Sequence, residues 1–215
     1  MNSDEQNIQK FLFETPSNIM ISGCTQSGKT FFTFNIINNA DKLFTNPPTK
    51  IIYCYKIFQR SFNSFQHKVT FHQGIPENIE EIADKNNNHI LIVLDDLMNC
   101  IDQRIVDLFT VGTHHLNISC VFITQNIFHH SKYLRTISLN AHYIILFRQR
   151  DSNQIEVLAR QILGSSKAKE FSKLYDTSMQ KRFGYLVLNM HPANNFKTLI
   201  HQNIMPDELT LTYLP

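Results

Sequence analysis

The chain has 215 residues, 42% of them hydrophobic, which suffices for one sizeable core and leaves little for a second, so a single domain is expected over residues 17–215 behind a short lead, residues 1–16. A net charge of +2 and a pI near 8.3 exclude binding of polyanions by bulk charge and confine any nucleic-acid contact to a local patch. Cys24, Cys54, Cys100 and Cys120 form no Cys-x-x-Cys pair, and no apolar run approaches the ~20 residues of a membrane helix; the sequence therefore predicts a soluble, unexported intracellular protein with reduced thiols, no membrane contact and no structural zinc.

In chain order, the lead holds one apolar cluster, Phe11-Leu12-Phe13, suited to pack across a sheet edge. The apolar run Asn18 to Ser22 then reads as a strand and enters Gly23-Cys24-Thr25-Gln26-Ser27-Gly28-Lys29-Thr30, a complete Gly-x-x-x-x-Gly-Lys-Thr phosphate-binding loop. Glycines let backbone N–H groups wrap the β-phosphate, Lys29 reaches the β- and γ-phosphates, and the Thr30 hydroxyl holds Mg²⁺. Phe31 to Ala40 can continue as a helix whose positive end faces the phosphates. After the break at Asn46-Pro47-Pro48-Thr49, Lys50 to Tyr55 reads as a second buried strand, Val69 to His72 as a possible short one, and Pro76 to Ile82 as the start of a helix.

His89 to Leu97 is an apolar run too short for a helix that ends in two carboxylates, the pattern of a Walker B strand. Ligands collect at the carboxyl ends of parallel strands, where Asp95 is placed to hold the Mg²⁺ shell and Asp96 to polarise the attacking water. Ile101 to Val111 has helical spacing, with Gly112 as its expected stop. Ile118 to Thr124 is another buried strand, ending at Gln125; lying between the two Walker strands, it would let Gln125 orient the hydrolytic water and sense the γ-phosphate, the plainer role being a turn-capping amide. The pairs His114-His115 and His129-His130 lack the spacing of a closed zinc site and read as solvated loop histidines. A strand over His142 to Phe147 exits into Arg148-Gln149-Arg150; helices follow over Ser152 to Leu163 and Lys167 to Tyr175, then a last core strand over Gly184 to Leu188 and strand-like pieces at Phe196 to Ile200 and Leu209 to Tyr213.

Beyond the Walker motifs stand the strings Ile52-Tyr53-Cys54-Tyr55, Asp95-Asp96-Leu97-Met98, Thr124-Gln125-Asn126, Arg135-Thr136-Ile137-Ser138-Leu139-Asn140-Ala141-His142-Tyr143 and Ala159-Arg160-Gln161-Ile162. With them the chain, from about Pro16 onward, resembles the viral genome-packaging ATPases of the FtsK–HerA superfamily, in the poxvirus-type branch carried by Polintons (Mavericks), adintoviruses and virophages. The resemblance implies an α/β P-loop NTPase of the additional-strand, RecA/FtsK–HerA-like class, with a mainly parallel central sheet flanked by helices. It further implies a homo-oligomeric ring, pentamer or hexamer, that hydrolyses ATP with Mg²⁺ to drive double-stranded DNA into a preformed capsid. Its partners would be DNA and the capsid or portal vertex, and its setting the host nucleus or a viral factory. Many members of the wider superfamily end Walker B in Asp-Glu; here Asp96 takes the Glu position, an ending usual in this branch.

Two other readings compete with the motor: a nucleotide-gated DNA- or capsid-binding protein with little turnover, and a small-molecule kinase, against which the strand between the Walker strands argues. A motor grips any sequence through phosphates, for which Lys132, Lys167, Lys169 and Lys173 are candidates, the last three equally readable as a solvated helix face. Phosphoryl transfer also invites an arginine from a neighbouring subunit. Arg135, in a region able to leave the sheet toward a neighbour, is the candidate, with Arg148 and Arg150 as rivals.

Overall fold

A computed structural model describes residues 10–65, 68–79, 82–83, 86–128, 132–195 and 199–213. The strands are β1 (Asn18–Ser22), β2 (Lys50–Tyr55), β3 (Thr70–Gln73), β4 (Ile90–Asp95), β5 (Ile118–Thr124), β6 (Tyr143–Leu146), β7 (Leu186–Asn189), β8 (Ile200–Gln202) and β9 (Leu211–Tyr213). They form one sheet in the order β3-β2-β4-β5-β1-β6-β7-β8-β9, parallel from β3 to β6 and antiparallel beyond it. This is the α/β architecture with a mainly parallel sheet, and β5 does insert between β4 and β1.

The central strands are apolar throughout because both faces are covered. Alternation divides them: Met20, Ile92, Cys120 and Ile144 point to one core, Ile19, Ile21, Val93, Val121 and Ile145 to the other. The second core holds α1 (Lys29–Asn38), followed by α2 (Ala40–Leu43). The first holds α3 (Gln103–Asp107), α5 (Lys132–Leu139), α6 (Asn153–Leu163) and α7 (Ala168–Ser178).

Four local expectations change. Phe11 and Phe13 are buried edge-on against Tyr143 of β6, over the interior of the sheet and not at its edge. Pro76–Ile79 is irregular where a helix start was expected, and the 80–81 part of that stretch lies outside the described residues. Gly112 does not stop its helix: α3 runs into a π-helical turn, Leu108–Gly112, and on into α4 (Thr113–His115). The wider turn is held by β1, since the Asn18 amide donates to Phe109 O at 2.7 Å while the Thr113 hydroxyl donates to Asn18 Oδ1 at 2.7 Å. Finally, the Arg135 segment does not leave the sheet. It is helix α5, docked on the core through Leu134 and Ile137 one turn apart.

His115 is exposed within α4, and His129 and His130 lie outside the described residues. The expected strand at Phe196 to Ile200 begins at Ile200, with 196–198 also outside them.

Candidate nucleotide site

The site lies at the carboxyl end of β1, where the chain passes into the phosphate loop tied to strands on both sides. Gly23 N donates to Thr124 O of β5 at 3.3 Å, and Cys24 N donates to Arg148 O beyond β6 at 2.8 Å. Gly23 is obligatory here, because an added Cβ would fall 2.6 Å from Phe147 Cβ and 2.7 Å from Ser27 Oγ. Gly28 has φ +106°, in the left-handed region that spares only glycine a steric penalty, and it opens α1. Lys29 is therefore the first helical residue. Its ammonium folds back into the loop, donating to Gly23 O at 2.6 Å and Cys24 O at 2.9 Å. Burial lowers its pKa, against the opposing pull of Cys24, Asp95 and Asp96.

Asp95 is the last residue of β4 and is only 6% exposed. Its Oδ2 accepts a 2.6 Å hydrogen bond from the phenol of Tyr53 on the neighbouring strand β2. Tyr53 pairs with Val93 in the register, so its side chain shares a face with Asp95, two residues further on. Burial pushes the Asp95 carboxyl above its ordinary range, with Asp96 adding to the rise while the Tyr53 bond and the Lys29 charge pull the other way. Burial first, and then Asp95, drives the Tyr53 phenol upward, so it stays a proton donor. The Tyr53 ring stacks on Phe34 of α1 at 5.2 Å with 2° between planes and contacts Phe62 and Phe71, which fixes the direction of its hydroxyl. Sequence reading missed this residue. The available signal was a phenol inside an otherwise buried strand, since a buried Tyr hydroxyl seeks a polar partner.

Asp96 lies just past the strand, exposed, with φ +55°. That left-handed turn points its carboxylate away from the core and toward the tip of β5. There the Gln125 amide donates to Asp96 Oδ1 at 3.4 Å and its Oε1 accepts from the Thr25 hydroxyl of the phosphate loop at 3.4 Å. Both bonds are long, as polar contacts at such sites commonly are before a substrate tightens them. Lys29, Asp95, Asp96, Gln125 and the loop Gly23–Thr30 thus meet at one rim.

The arginines divide. Arg148 borders the loop and its Nη2 donates to Met179 O at 2.6 Å, while Arg150 lines a small hollow with Thr25 and Gln125. Arg135 is exposed on α5. Lys132 is exposed with its ammonium 5.0 Å from the Tyr133 ring, and Lys167, Lys169 and Lys173 are exposed at the N-cap, the start and the middle of α7. The two residues expected to hold a metal lie in α1 (Thr30) and at the end of β4 (Asp95), and both offer hard oxygens of the kind that suits Mg²⁺. Among the described residues no three His, Cys, Asp or Glu side chains gather into a metal-binding group.

No protein-family model matches the chain, and no curated protein matches it. Solved structures do. The genome packaging NTPase B204 from Sulfolobus turreted icosahedral virus 2, in complex with AMPPCP, is similar at a TM-score of 0.54 and 13% identity, over 93% of this chain and 97% of that one. A KaiC-like protein from Pyrococcus horikoshii OT3 is similar at a TM-score of 0.50 and 11% identity, over 93% and 90%. The cytoplasmic domain of the Thermomonospora curvata type VII secretion ATPase EccC is similar at a TM-score of 0.51 and 13% identity, over 92% of this chain and 24% of that one. At these identities the likeness establishes the fold: the chain has a P-loop NTPase fold. No helix among the described residues is long and apolar enough to cross a membrane.

Proposed function

We propose that this chain is an ATP-hydrolysing motor of the FtsK–HerA type that moves double-stranded DNA into a viral capsid. The observation that carries the reading is Gln125, set just past the end of the strand inserted between the two Walker strands and within 3.4 Å of both Thr25 of the phosphate loop and Asp96. A residue so placed can register the γ-phosphate and the water together. The sequence strings shared with packaging ATPases, and a fold like that of a genome packaging NTPase, support the assignment.

Lys29 exchanges the carbonyls of Gly23 and Cys24 for β- and γ-phosphate oxygens, which is a small movement of an already positioned ammonium. Thr30 and Asp95 would hold Mg²⁺, with Tyr53 keeping the carboxylate in place. When bound, the metal neutralises charge on the phosphates. Gln125 orients the water and Asp96 accepts its proton. All three arginines are exposed, but Arg148 is tied to Met179 O and Arg150 lines a hollow at its own phosphate loop, so Arg135 is the better candidate to reach a neighbouring subunit in a ring.

ATP turnover measured with and without duplex DNA tests the reading. A motor is stimulated by DNA, and binding weakens steeply with salt if phosphates are the contact. A chain that binds ATP and DNA without turnover is a gate, and one whose turnover ignores DNA is not a packaging motor.

A further inference from the structure

The phosphate loop has two flanks, and the groups suited to the γ-phosphate occupy only one. Asp95, Asp96 and Gln125 stand at the ends of β4 and β5, so a nucleotide lying along the loop sends its ribose and base toward the opposite flank, beyond β6. A hollow of about 670 Å³ opens there, bordered by Cys24, Thr25, Gln26 and Ser27 on one side and by the turn that precedes β7 on the other.

Phe183 lines this hollow and Phe31 lies beside Phe183; both rings are exposed, although most aromatic side chains of the fold are buried. Phe31 follows Thr30 directly and is 64% exposed; Phe183 is 46% exposed. Their centroids are 6.5 Å apart with 34° between planes, the outer limit of ring contact, so neither ring covers the other. Phe183 belongs to the loop's own architecture: a Cβ on Gly28 would fall 2.9 Å from its ring. It is held at φ +59°, a strained conformation for an aromatic residue, and Gly184 after it has no room for a side chain against Ser178 O. Strain of this kind concentrates at binding sites. The Arg182 guanidinium lies 4.9 Å from the Phe183 centroid, adding a second planar surface.

We propose that Phe31, Phe183 and Arg182 form the nucleobase subsite, which takes a purine ring by its faces. The proposal rests on the nucleotide reading above and adds the part of the substrate that lies beyond the phosphates. Stacking reads a π-face and not the hydrogen-bonding edge, so it accepts adenine and guanine alike and holds the smaller pyrimidines less well.

The test is equilibrium binding of ATP, GTP, CTP and inorganic triphosphate, each with Mg²⁺, to the wild type, Phe183→Ala, Phe183→Leu and Phe31→Ala, with thermal melts to confirm folding. In the wild type ATP and GTP should bind within about threefold of each other and CTP more weakly. Phe183→Ala should lose about tenfold or more in ATP and GTP affinity, Phe31→Ala should lose less, and triphosphate should change by no more than about twofold. Phe183→Leu, which keeps apolar bulk without a π-face, should behave as the alanine variant. The proposal is overturned if Phe183→Ala retains ATP affinity, if triphosphate binding falls in step with ATP, or if wild type prefers one purine a hundredfold. Should the wild type bind neither ATP nor triphosphate, the nucleotide reading fails and this proposal with it.

Discussion

On the β4–β5 flank of the phosphate loop, polar side chains link to one another: Tyr53 to buried Asp95 at 2.6 Å and, at the exposed strand exits, Gln125 to Asp96 and to Thr25 at 3.4 Å each. On the β6–β7 flank, Phe183, Arg182 and Lys181 are exposed along an open hollow, with exposed Phe31 beside Phe183. The contrast follows from what each side has to do. Proton transfer and metal binding need atoms fixed to fractions of an ångström, and the ends of parallel strands supply such anchors, Asp95 inside the core and Asp96 and Gln125 at the exposed exits. Holding a planar base needs only area, which surface rings provide without burial. On the proposed roles, catalysis and recognition fall to different flanks, and mutations on the two should fail in different ways.

The largest effect is expected at the residue common to both flanks. Lys29→Ala should reduce turnover by about 10³-fold or more and weaken nucleotide binding too, while the melting temperature stays near wild type, since its ammonium serves only the loop. Steady-state hydrolysis at the wild-type rate would end the assignment. Gln125→Ala should lower turnover roughly 10²-fold with little change in ATP affinity. Equal loss of both would return Gln125 to the role of a structural amide and blur the difference between flanks.

Two further variants probe the fixed flank through stability. Burial raises the Asp95 carboxyl in the folded chain, so its ionised form at neutral pH opposes folding. Asp95→Asn should therefore melt a few degrees higher in nucleotide-free protein while losing metal-dependent nucleotide binding. The sign is checked by pH: a folded-state value above the unfolded one means that wild type regains this stability as pH falls through the folded value, so the gap between the two proteins should close in acid. A gap that widens in acid would contradict the burial argument. Tyr53→Phe removes the donor to a buried carboxylate and should destabilise by about 1–3 kcal/mol, read as a shift in denaturant midpoint. It should also weaken Mg-ATP binding, which loss of packing alone would not do because the ring remains.

The fixed flank was also the legible one. Strands β1, β2, β4 and β5 each announce themselves as short apolar runs, and the chemical residues sit at their ends within motifs read along the chain. That β5 lies between β4 and β1 was implied by the resemblance to the additional-strand class and not by the residues of β5 themselves. The other flank is assembled from Phe31 and Phe183, which lie far apart in the sequence and meet only through tertiary packing, so periodicity does not connect them. The Tyr53 contact was hidden for a related reason: it depends on the β2–β4 register. Helix α5 was missed because two buried residues, Leu134 and Ile137, are too few for a helical pattern to stand out among the polar side chains. At Gly112 the amide ladder survives as a π turn because Asn18 and Thr113 take up the displaced polar groups, a compensation that lies 94 residues away in the chain for one partner and next door for the other.

ATP affinity and turnover measured side by side for Asp96→Asn and Phe183→Ala test the separation most directly. The account predicts that Asp96→Asn binds Mg-ATP as tightly as wild type yet turns it over about 10²- to 10⁴-fold more slowly, because only the proton acceptor is lost. It predicts the reverse for Phe183→Ala: affinity falls about tenfold while turnover at saturating ATP stays near wild type. Asp96→Asn hydrolysing at the wild-type rate, or both variants losing affinity and turnover together, would contradict it.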